Sequence, residues 1–386
     1  MHNIFIVGSK GIPGLYGGYE TFVDKLTEYH REESSISYHV ACKSDDNSEF
    51  TYNNARCFNI KVPNIGPAQA VYYDIAAIKA CLKYIQKNSV DKPVIYILAC
   101  RIGPWMKRFS KEIHKLGGKV YVNPDGHEWK RAKWNKLIRM YWKLSEKLMV
   151  KSADLLVCDS VNIELYIKDE YGKYSPATTY IAYGAEIADT QSADAESLYN
   201  KWLNDNNLRA DGYYLMVGRF VPENNYETVI REFMKSHTDR KLVILTTKND
   251  GFAQELDGKL GFKKDSRICI LDPVYDKDML MCIRKNAYAY IHGHEVGGTN
   301  PSLLEALGTT SVNLLLDVSF NREVGKDAAF YWNKNTSDLA SLIDKVDTIS
   351  ESQIREYGLK AKRRIQEDYT WNKISGEYKR LWENNI

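Results

Sequence analysis

Short apolar runs alternate with amphipathic segments along most of the chain. The first run, residues 3–7, precedes a glycine-rich loop at 8–18 and a helical pattern over 19–26. Apolar runs bounded by turns are typical of buried strands, and strands that alternate with helices are typical of a mostly parallel sheet. Further strands are predicted near 37–42, 56–61, 94–99, 118–122, 153–158 and 178–183, and helices over 68–87 and 104–115. The first half therefore reads as a doubly wound α/β unit.

The same alternation starts again after a small, polar segment at 184–196, which we interpret as a linker. The second series is predicted to contain a helix over 197–205, strands at 213–217, 241–246, 267–271, 287–291 and 311–315, and a helix from 226. The tail, 350–385, is predicted to be two helices with a break at 369–372. A chain of 386 residues is too long for one ordinary core. We therefore expect two α/β domains, 1–184 and 185–369.

Composition narrows the class of protein. The net charge of +3 is too small to indicate nucleic-acid binding through the chain as a whole. The sequence has no run of eighteen apolar residues, so we expect no transmembrane helix. The first residues lack the pattern of a signal peptide. The seven cysteines are scattered, without a CxxC pair, so they are expected to be reduced core residues of a cytoplasmic protein.

The stretch 287–307 carries the strongest chemical signal. A strand at 287–291 leads to Gly297 and Gly298, and then to Asn300-Pro301-Ser302, which has the chemistry of a helix N-cap. A helix start behind paired glycines presents free N–H groups to a phosphate, and Glu305 on that helix can accept hydrogen bonds from sugar hydroxyls. The pattern favours a nucleotide site. The alternative is an ordinary strand–helix connection with an incidental glutamate.

Two further positions in the second half bear on this site. Arg219 follows the strand 213–217, where a guanidinium can grip a diphosphate; the alternative is a surface salt bridge. The triplet Asp276-Lys277-Asp278 resembles a metal-binding DxD motif, but no other ligands cluster with it. We interpret it as a helix cap.

In the first half, candidate residues stand in loops that follow predicted strands. The loop 8–18 has five glycines but not the GxGxxG spacing, so it is either a phosphate or substrate loop or a tight turn. The loop 123–129 offers Asp125, His127 and Glu128 as acid–base candidates. The alternative is a turn followed by a helix-start charge. Loops at the carboxyl ends of parallel strands share one edge of a sheet, where ligands collect.

Residues 129–151 are predicted to form one basic amphipathic helix. Apolar positions recur at helical spacing, and only Glu146 opposes the positive charges. The apolar positions are Leu137, Tyr141, Leu144 and Leu148; the cations are Lys130, Arg131, Lys133, Lys136, Arg139, Lys143, Lys147 and Lys151. Such a helix can lie on an anionic membrane surface. The alternative is a packed helix with a solvated basic face.

These motifs resemble those of the retaining family 4 glycosyltransferases. The similarity rests on Val217-Gly218-Arg219 and on the segment 297–305 that ends in Glu305, and it extends over nearly the whole chain. It implies the GT-B glycosyltransferase fold, with two facing Rossmann-like domains and a C-terminal helix, 370–386, crossing back to the first. The first domain would bind the acceptor and the second the nucleotide-sugar.

The chain is most similar to a bacterial subgroup of rhamnosyltransferases for capsule and cell-wall polysaccharide, of the streptococcal β-1,4 type. The subgroup motifs are Gly8-Ser-Lys-Gly-Ile-Pro13, Tyr16-Gly-Gly-Tyr-Glu-Thr21, Asn123-Pro-Asp-Gly126, Glu128-Trp-Lys-Arg131, Cys158-Asp-Ser160, Gly218-Arg-Phe-Val-Pro-Glu-Asn-Asn225 and His292-Gly-His294. The resemblance implies retaining transfer of L-rhamnose from dTDP-β-L-rhamnose to a polyprenyl-diphosphate-linked saccharide. It also implies a peripheral enzyme at the inner face of the cell membrane that needs no cofactor and no metal.

The resemblance also assigns site residues. The expected donor-binding residues are Gly17, Gly18, Arg219, Asn224, Val274, Tyr275, His292, Gly297, Gly298, Thr299, Asn300, Pro301, Ser302 and Glu305. Gly17 and Gly18 are expected to close over the phosphates, and Val274 and Tyr275 to lie near the base. Trp129, Lys130, Arg131, Lys133, Trp134, Lys136 and Arg139 are expected to meet the membrane or the acceptor lipid. Asp125, His127 and Glu128 remain the catalytic candidates.

The chain departs from the wider family at two positions. The first glutamate of the family's Glu-x7-Glu pair is replaced by Gly297, and Glu295 is out of register. The family lysine five residues after the arginine is Asn224, a loss of charge for which Lys10 or His292 is a candidate substitute. Three rival functions stay open: a glycosyltransferase with a UDP-sugar donor, a nucleotide-sugar 2-epimerase of the same fold, and a non-catalytic nucleotide-sugar sensor.

Overall fold

The computed structural model describes residues 1–14, 17–131, 134–187 and 193–384. The chain divides into two compact units, Met1–Gly184 with Trp371–Ile386, and Ala185–Thr370. Tyr16 of the predicted glycine loop and Lys133 of the predicted membrane set lie outside the described residues, as do residues 188–192 of the predicted linker.

The described part of the first unit builds an eight-stranded sheet, in the order β3-β4-β2-β1-β5-β6-β7-β8, in which only β3 runs antiparallel to its neighbour. The strands are β1 His2–Val7, β2 Ile36–Ser44, β3 Glu49–Tyr52, β4 Ala55–Lys61, β5 Val94–Leu98, β6 Lys119–Asn123, β7 Leu155–Cys158 and β8 Thr178–Tyr180. The helices are α1 Gly18–Tyr29, α2 Gln69–Asn88, α3 Gly103–Lys115, α4 Lys136–Val150 and α5 Val161–Tyr171. Ile4 to Val7 are completely buried because β1 lies in the middle of this sheet.

The described part of the second unit builds a six-stranded parallel sheet, in the order β11-β10-β9-β12-β13-β14. Its strands are β9 Tyr213–Val217, β10 Lys241–Leu245, β11 Ile268–Leu271, β12 Ala289–His292, β13 Asn313–Leu316 and β14 Phe330–Trp332. Its helices are α6 Ala193–Asp205, α7 Tyr226–Lys235, α8 Asp250–Leu260, α9 Lys277–Lys285, α10 Pro301–Thr309, α11 Ser319–Gly325, α12 Asp338–Val346 and α13 Glu351–Asp368. The linker prediction was too long at its end, since α6 already begins at Ala193.

The last helix, α14 Trp371–Asn384, packs in the first unit. The indole N–H of Trp382 donates to the hydroxyl of Tyr38 at 2.9 Å. His30 joins them through its two ring nitrogens, 2.7 Å from the Tyr38 hydroxyl and 3.0 Å from the carbonyl oxygen of Ser375. This buried chain of hydrogen bonds ties α1, β2 and α14 together.

The predicted single helix over 129–151 is wrong at its start. Glu128–Lys130 form a 3₁₀ turn, and α4 begins only at Lys136. Asn135 is the N-cap of α4, since its side chain accepts a hydrogen bond from the N–H of Ile138 at 3.0 Å. Trp129, Lys130, Arg131 and Trp134 therefore precede the helix.

None of the helices among the described residues combines the length and the apolar composition needed to cross a bilayer. All seven cysteines are free, and all but Cys269 are buried.

Candidate functional site

The N-terminus of α10 has the predicted cap. The side chain of Asn300 accepts a hydrogen bond from the N–H of Ser302 at 2.9 Å, and Pro301 occupies the first helical position. Gly297 has φ +145°, a conformation that side chains with a Cβ rarely adopt. The family glutamate would therefore be strained at this position. Thr299 is buried beside the helix start, and the first turn of α10 has N–H groups without partners within the helix.

Arg219 lies just beyond β9, and its side chain is exposed. Among the described residues, no carboxylate forms an ion pair with its guanidinium. Asn224 donates its amide N–H to the carbonyl oxygen of Arg219 at 2.8 Å, so it holds the loop that presents the arginine. The alternative of a surface salt bridge at Arg219 is therefore not what the described contacts show.

Two stacked histidines lie beside this loop. The rings of His292 and His294 are 4.3 Å apart and nearly parallel, and a Cβ on Gly218 would stand 3.2 Å from His294 Cε1. His292 is buried, and neither of its ring nitrogens has a hydrogen-bond partner in the part of the chain that the structure describes. Burial, and then His294, lowers the pKa of His292 well below its ordinary value.

In this environment His292 is disfavoured as a substitute for the missing lysine charge, and the predicted role stays a prediction. An imidazole with so low a pKa is neutral at pH 7 and offers one donor and one acceptor. Such a ring is suited to a hydrogen bond with a hydroxyl group and cannot neutralise the charge of a phosphate.

Glu305 has a partner that the sequence did not reveal. Its Oε2 atom lies 2.7 Å from Nη2 of Arg284, a buried residue near the end of α9, while about 39% of the Glu305 side chain stays exposed. Arg284 is followed by a second cation, Lys285, and nothing in its spacing connects it to Glu305. Glu295 contacts Lys334 and Asn225 instead, so its carboxylate is also engaged.

Val274 and Tyr275 lie between β11 and α9. Val274 packs against the core of the second unit, and Tyr275 is exposed. Asp276 accepts a hydrogen bond from the N–H of Met279 at 2.8 Å, which confirms its predicted role as a cap. Within the described residues, no three His, Cys, Asp or Glu side chains are grouped as metal ligands would be.

In the first unit, the glycine loop is held by α1. The carboxylate of Glu20 accepts a hydrogen bond from the N–H of Lys10 at 2.8 Å. Gly17 has φ +129°, and a Cβ there would stand 1.9 Å from Glu20 Oε2. Gly18 begins α1. The predicted phosphate contact of Gly17 and Gly18 stays a prediction.

The three catalytic candidates follow β6 but differ in their contacts. Asp125 adopts φ +60° and caps its own turn, with Oδ1 accepting from the N–H of Gly126 at 2.7 Å. Burial, followed by the charges of Lys130 and Lys143, lowers the pKa of His127 to about 4. Glu128 forms an ion pair with Arg131 and accepts a hydrogen bond from Trp134 at 3.0 Å.

These contacts join Glu128 to Arg131 and Trp134. Asp125, His127 and Glu128 stay acid–base candidates, and His127 is neutral at pH 7 because its pKa is about 4.

Sequence reasoning missed a polar cluster near Asp125. Arg101, just after β5, donates to the carbonyl oxygen of Gly8 at 2.8 Å and pairs with the buried carboxylate of Asp74 at 3.3 Å. Burial raises the pKa of Asp74 to about 6, against the effect of Arg101. The buried hydroxyl of Tyr19 has no hydrogen-bond partner among the described residues.

Burial raises the pKa of Tyr19, and the next largest contributions come from Asp125 and Asp159. Tyr19 therefore belongs to the same edge of the sheet as these carboxylates. The only sequence signal was its position directly after the paired glycines.

The predicted apolar stripe of α4 divides between two faces. Tyr141 is turned inward, with its hydroxyl donating to the carbonyl oxygen of Arg101 at 2.7 Å. Leu137, Met140 and Leu144 are exposed by 76%, 61% and 49%, and Lys136 and Arg139 are exposed among them. We call these five residues the α4 surface. Trp129 lies apart from it, with the ammonium of Lys143 4.7 Å from its ring centroid.

The chain is similar in sequence and in fold to known proteins. Residues 1–186 match a family model described as a domain of unknown function, DUF1972. The chain is 23% identical to an uncharacterized glycosyltransferase, MJ1069, of Methanocaldococcus jannaschii, with 97% of each chain covered.

Two solved structures resemble the whole chain. Sucrose-phosphate synthase from Thermosynechococcus elongatus superposes with a TM-score of 0.79 at 15% identity, covering 100% of this chain and 99% of that one. An E. coli trehalose-6-phosphate structure bound with UDP-2-fluoro glucose gives a TM-score of 0.72 at 13% identity, covering 100% of both chains.

These similarities confirm the predicted two-domain α/β fold of the GT-B type. With the relative named as a glycosyltransferase, they support glycosyltransferase function at that general level. Rhamnose, a dTDP donor and a lipid-linked acceptor stay predictions.

Proposed function

We propose that the protein is a retaining glycosyltransferase that moves L-rhamnose from dTDP-β-L-rhamnose to a lipid-linked sugar in capsule or cell-wall polysaccharide synthesis. The observation that carries the proposal is the second unit's pairing of an exposed arginine with a capped helix start. Arg219 offers a planar guanidinium to a diphosphate, and the N-terminus of α10 offers backbone N–H groups. Glu305 adds an acceptor for a nucleoside hydroxyl one turn further along α10.

We assign donor binding to the second unit and acceptor binding to the first. In the transfer we propose, the acceptor oxygen forms a bond to the anomeric carbon while the bond from that carbon to the diphosphate oxygen breaks. The departing phosphate oxygen takes the acceptor proton on the same face of the sugar. The protein's part is to hold both reactants and to stabilise the charge on the leaving diphosphate. Arg219 and the start of α10 would supply this stabilisation without a metal ion.

His292 suits a role toward the transferred sugar. Its neutral, unpartnered ring can form a hydrogen bond with a sugar hydroxyl, whereas a charged ring would pair with phosphate. On the acceptor side, the unpartnered hydroxyl of Tyr19 and the carboxylate of Asp125 offer a donor and an acceptor for a saccharide.

A UDP-sugar glycosyltransferase is the second candidate. It is favoured by the E. coli structure of the same fold, which is bound with UDP-2-fluoro glucose. The two candidates share the Arg219 and Glu305 site and differ in the base, in the 2′ hydroxyl of the nucleoside sugar and in the transferred sugar.

The test is titration calorimetry of the full chain with dTDP-rhamnose, UDP-glucose, UDP-N-acetylglucosamine and GDP-mannose, followed by assay of released nucleotide with and without a lipid-linked glucose acceptor. We expect dTDP-rhamnose to bind most tightly, and dTDP release to require the acceptor. Preference for a UDP-sugar would select the second candidate. Turnover of a UDP-sugar without any acceptor would indicate an epimerase, and binding without turnover would indicate a sensor.

A lipid-linked acceptor would bring the enzyme to the inner face of the cell membrane. We assign this membrane contact to the α4 surface. Exposed apolar side chains that alternate with cations are suited to the boundary of an anionic bilayer, where Leu and Met insert and Lys and Arg meet phosphate. This surface keeps Lys136 and Arg139 of the set predicted from sequence, whereas Trp129, Lys130 and Arg131 precede α4 and stay predictions.

Replacing Leu137, Met140 and Leu144 together by serine should lower the affinity for anionic vesicles by about 100-fold, since partial burial of each side chain contributes roughly 1 kcal/mol. Cosedimentation with phosphatidylglycerol vesicles measures the change. Leu359→Ser is the matched control, because Leu359 is equally apolar and 61% exposed but lies on α13. Equal binding of the triple variant and the unchanged protein would remove the α4 surface from the proposal.

A further inference from the structure

Arg284 is a buried cation in the second unit. Only 6% of its side chain is exposed, and its Nε atom has no hydrogen-bond partner among the described residues. Its position in the last turn of α9 favours a positive charge through the helix dipole. That effect does not explain why the guanidinium is directed toward α10 and away from water, where an exposed arginine would be better solvated.

The guanidinium reaches the first half of α10. The hydroxyl of Thr310, next to the end of α10, donates to the carbonyl oxygen of Arg284 at 2.8 Å. From this anchor the side chain extends back along α10, and Nη2 lies 2.7 Å from Glu305 Oε2 and 3.3 Å from Ser302 Oγ. The hydroxyl of Ser302 is in turn 3.0 Å from the hydroxyl of Tyr290.

These contacts fix one oxygen of the Glu305 carboxylate. Oε2 is bound by Arg284, while the side chain as a whole is still 39% exposed. Charge-assisted hydrogen bonds are short and directional, so the bound oxygen also sets the plane of the carboxylate. The second oxygen, Oε1, is left for a ligand.

We infer that Arg284 is a positioning residue that aims Oε1 of Glu305 at one hydroxyl of the nucleoside sugar. The inference rests on the proposed function, in which Glu305 faces that sugar. With Oε2 held by Arg284, recognition depends on one carboxylate oxygen, and one hydroxyl satisfies it. A 2′-deoxyribose, as in dTDP, presents a single free hydroxyl at the 3′ position. The ion pair therefore fits a deoxynucleotide donor.

The test compares dTDP with 2′,3′-dideoxythymidine diphosphate, which lacks the 3′ hydroxyl. The unchanged protein should bind dTDP about tenfold more tightly, as expected for a hydrogen bond to a charged group. Arg284→Met should bind both nucleotides with nearly the same, weaker affinity, and Glu305→Gln should lose most of the discrimination as well. With the full donor, Arg284→Met should raise KM and leave kcat nearly unchanged, because binding is lost equally in ground and transition states.

Lys285→Met is the matched control, because it removes a neighbouring cation from the same helix at an exposed position and should keep the tenfold discrimination. Arg284→Lys retains the positive charge but not the planar guanidinium, so it should keep part of the discrimination between the two nucleotides. It serves as the second variant if Arg284→Met does not give a folded protein by circular dichroism.

Tenfold discrimination that persists in Arg284→Met would overturn the inference, as would equal binding of the two nucleotides by the unchanged protein. If the protein binds UDP more tightly than dTDP, the proposed dTDP donor is wrong. The role of Arg284 is then tested by the same comparison between UDP and 3′-deoxy-UDP. If no nucleoside diphosphate binds, the proposed function and this inference fail together.

Discussion

Replacement of Arg219 by methionine should lower kcat/KM for the nucleotide-sugar by about 100-fold or more, the loss typical of removing one group that stabilises developing charge. Arg219 is exposed at the end of β9, and no carboxylate among the described residues pairs with it. The full charge of its guanidinium is therefore available to the departing diphosphate. Released nucleotide, measured at several donor concentrations, gives kcat and KM separately.

The control for this experiment is Arg355→Met, which removes an exposed arginine from α13 and should change neither constant. A fall in kcat with Arg219→Met would indicate that the guanidinium acts mainly on the transition state, and a rise in KM alone would indicate ground-state binding. An unchanged kcat/KM would exclude Arg219 from the donor site.

Trp382→Ala should destabilise the first unit by about 3–5 kcal/mol, the usual cost of truncating a fully buried tryptophan. The ring is completely buried, with its centroid 5.7 Å from that of Tyr96 and 6.0 Å from that of Tyr121. The substitution leaves a cavity and also removes the donor to the Tyr38 hydroxyl. In urea denaturation followed by circular dichroism, the transition of the first unit should move to lower urea.

Arg380→Ala on the exposed face of the same helix should leave that transition within about 0.5 kcal/mol of its original position. If Trp382→Ala had an equally small effect, α14 would not be an integral part of the first unit.

Most of the fold was predictable because its strands are buried on both faces. Segments such as 94–98 and 213–217 read as uninterrupted apolar runs, which parallel sheets require. The missed strands are short and lie at the sheet edges. Glu49–Tyr52 is mostly exposed, and Phe330–Trp332 is only three residues long, so neither carries the apolar signal of a central strand.

The candidate site was predictable where chemistry is local and unpredictable where it depends on packing. The cap formed by Asn300 follows from adjacent residues and was found. The contact of Arg284 with Glu305 joins two helices, and the unpartnered hydroxyl of Tyr19 is known only from what surrounds it. The lowered pKa of His292 could not be predicted either, because it arises from burial and from the stacked ring of His294.

The return of α14 to the first unit has a consequence for synthesis. A ribosome makes all of β1 to β8 first, but the helix that fills the space beside Tyr38 and Tyr96 is made only after residues 185–370. Until then the apolar surface that α14 covers lacks that helix. The second unit, by contrast, is contiguous in sequence and can fold before α14 is made.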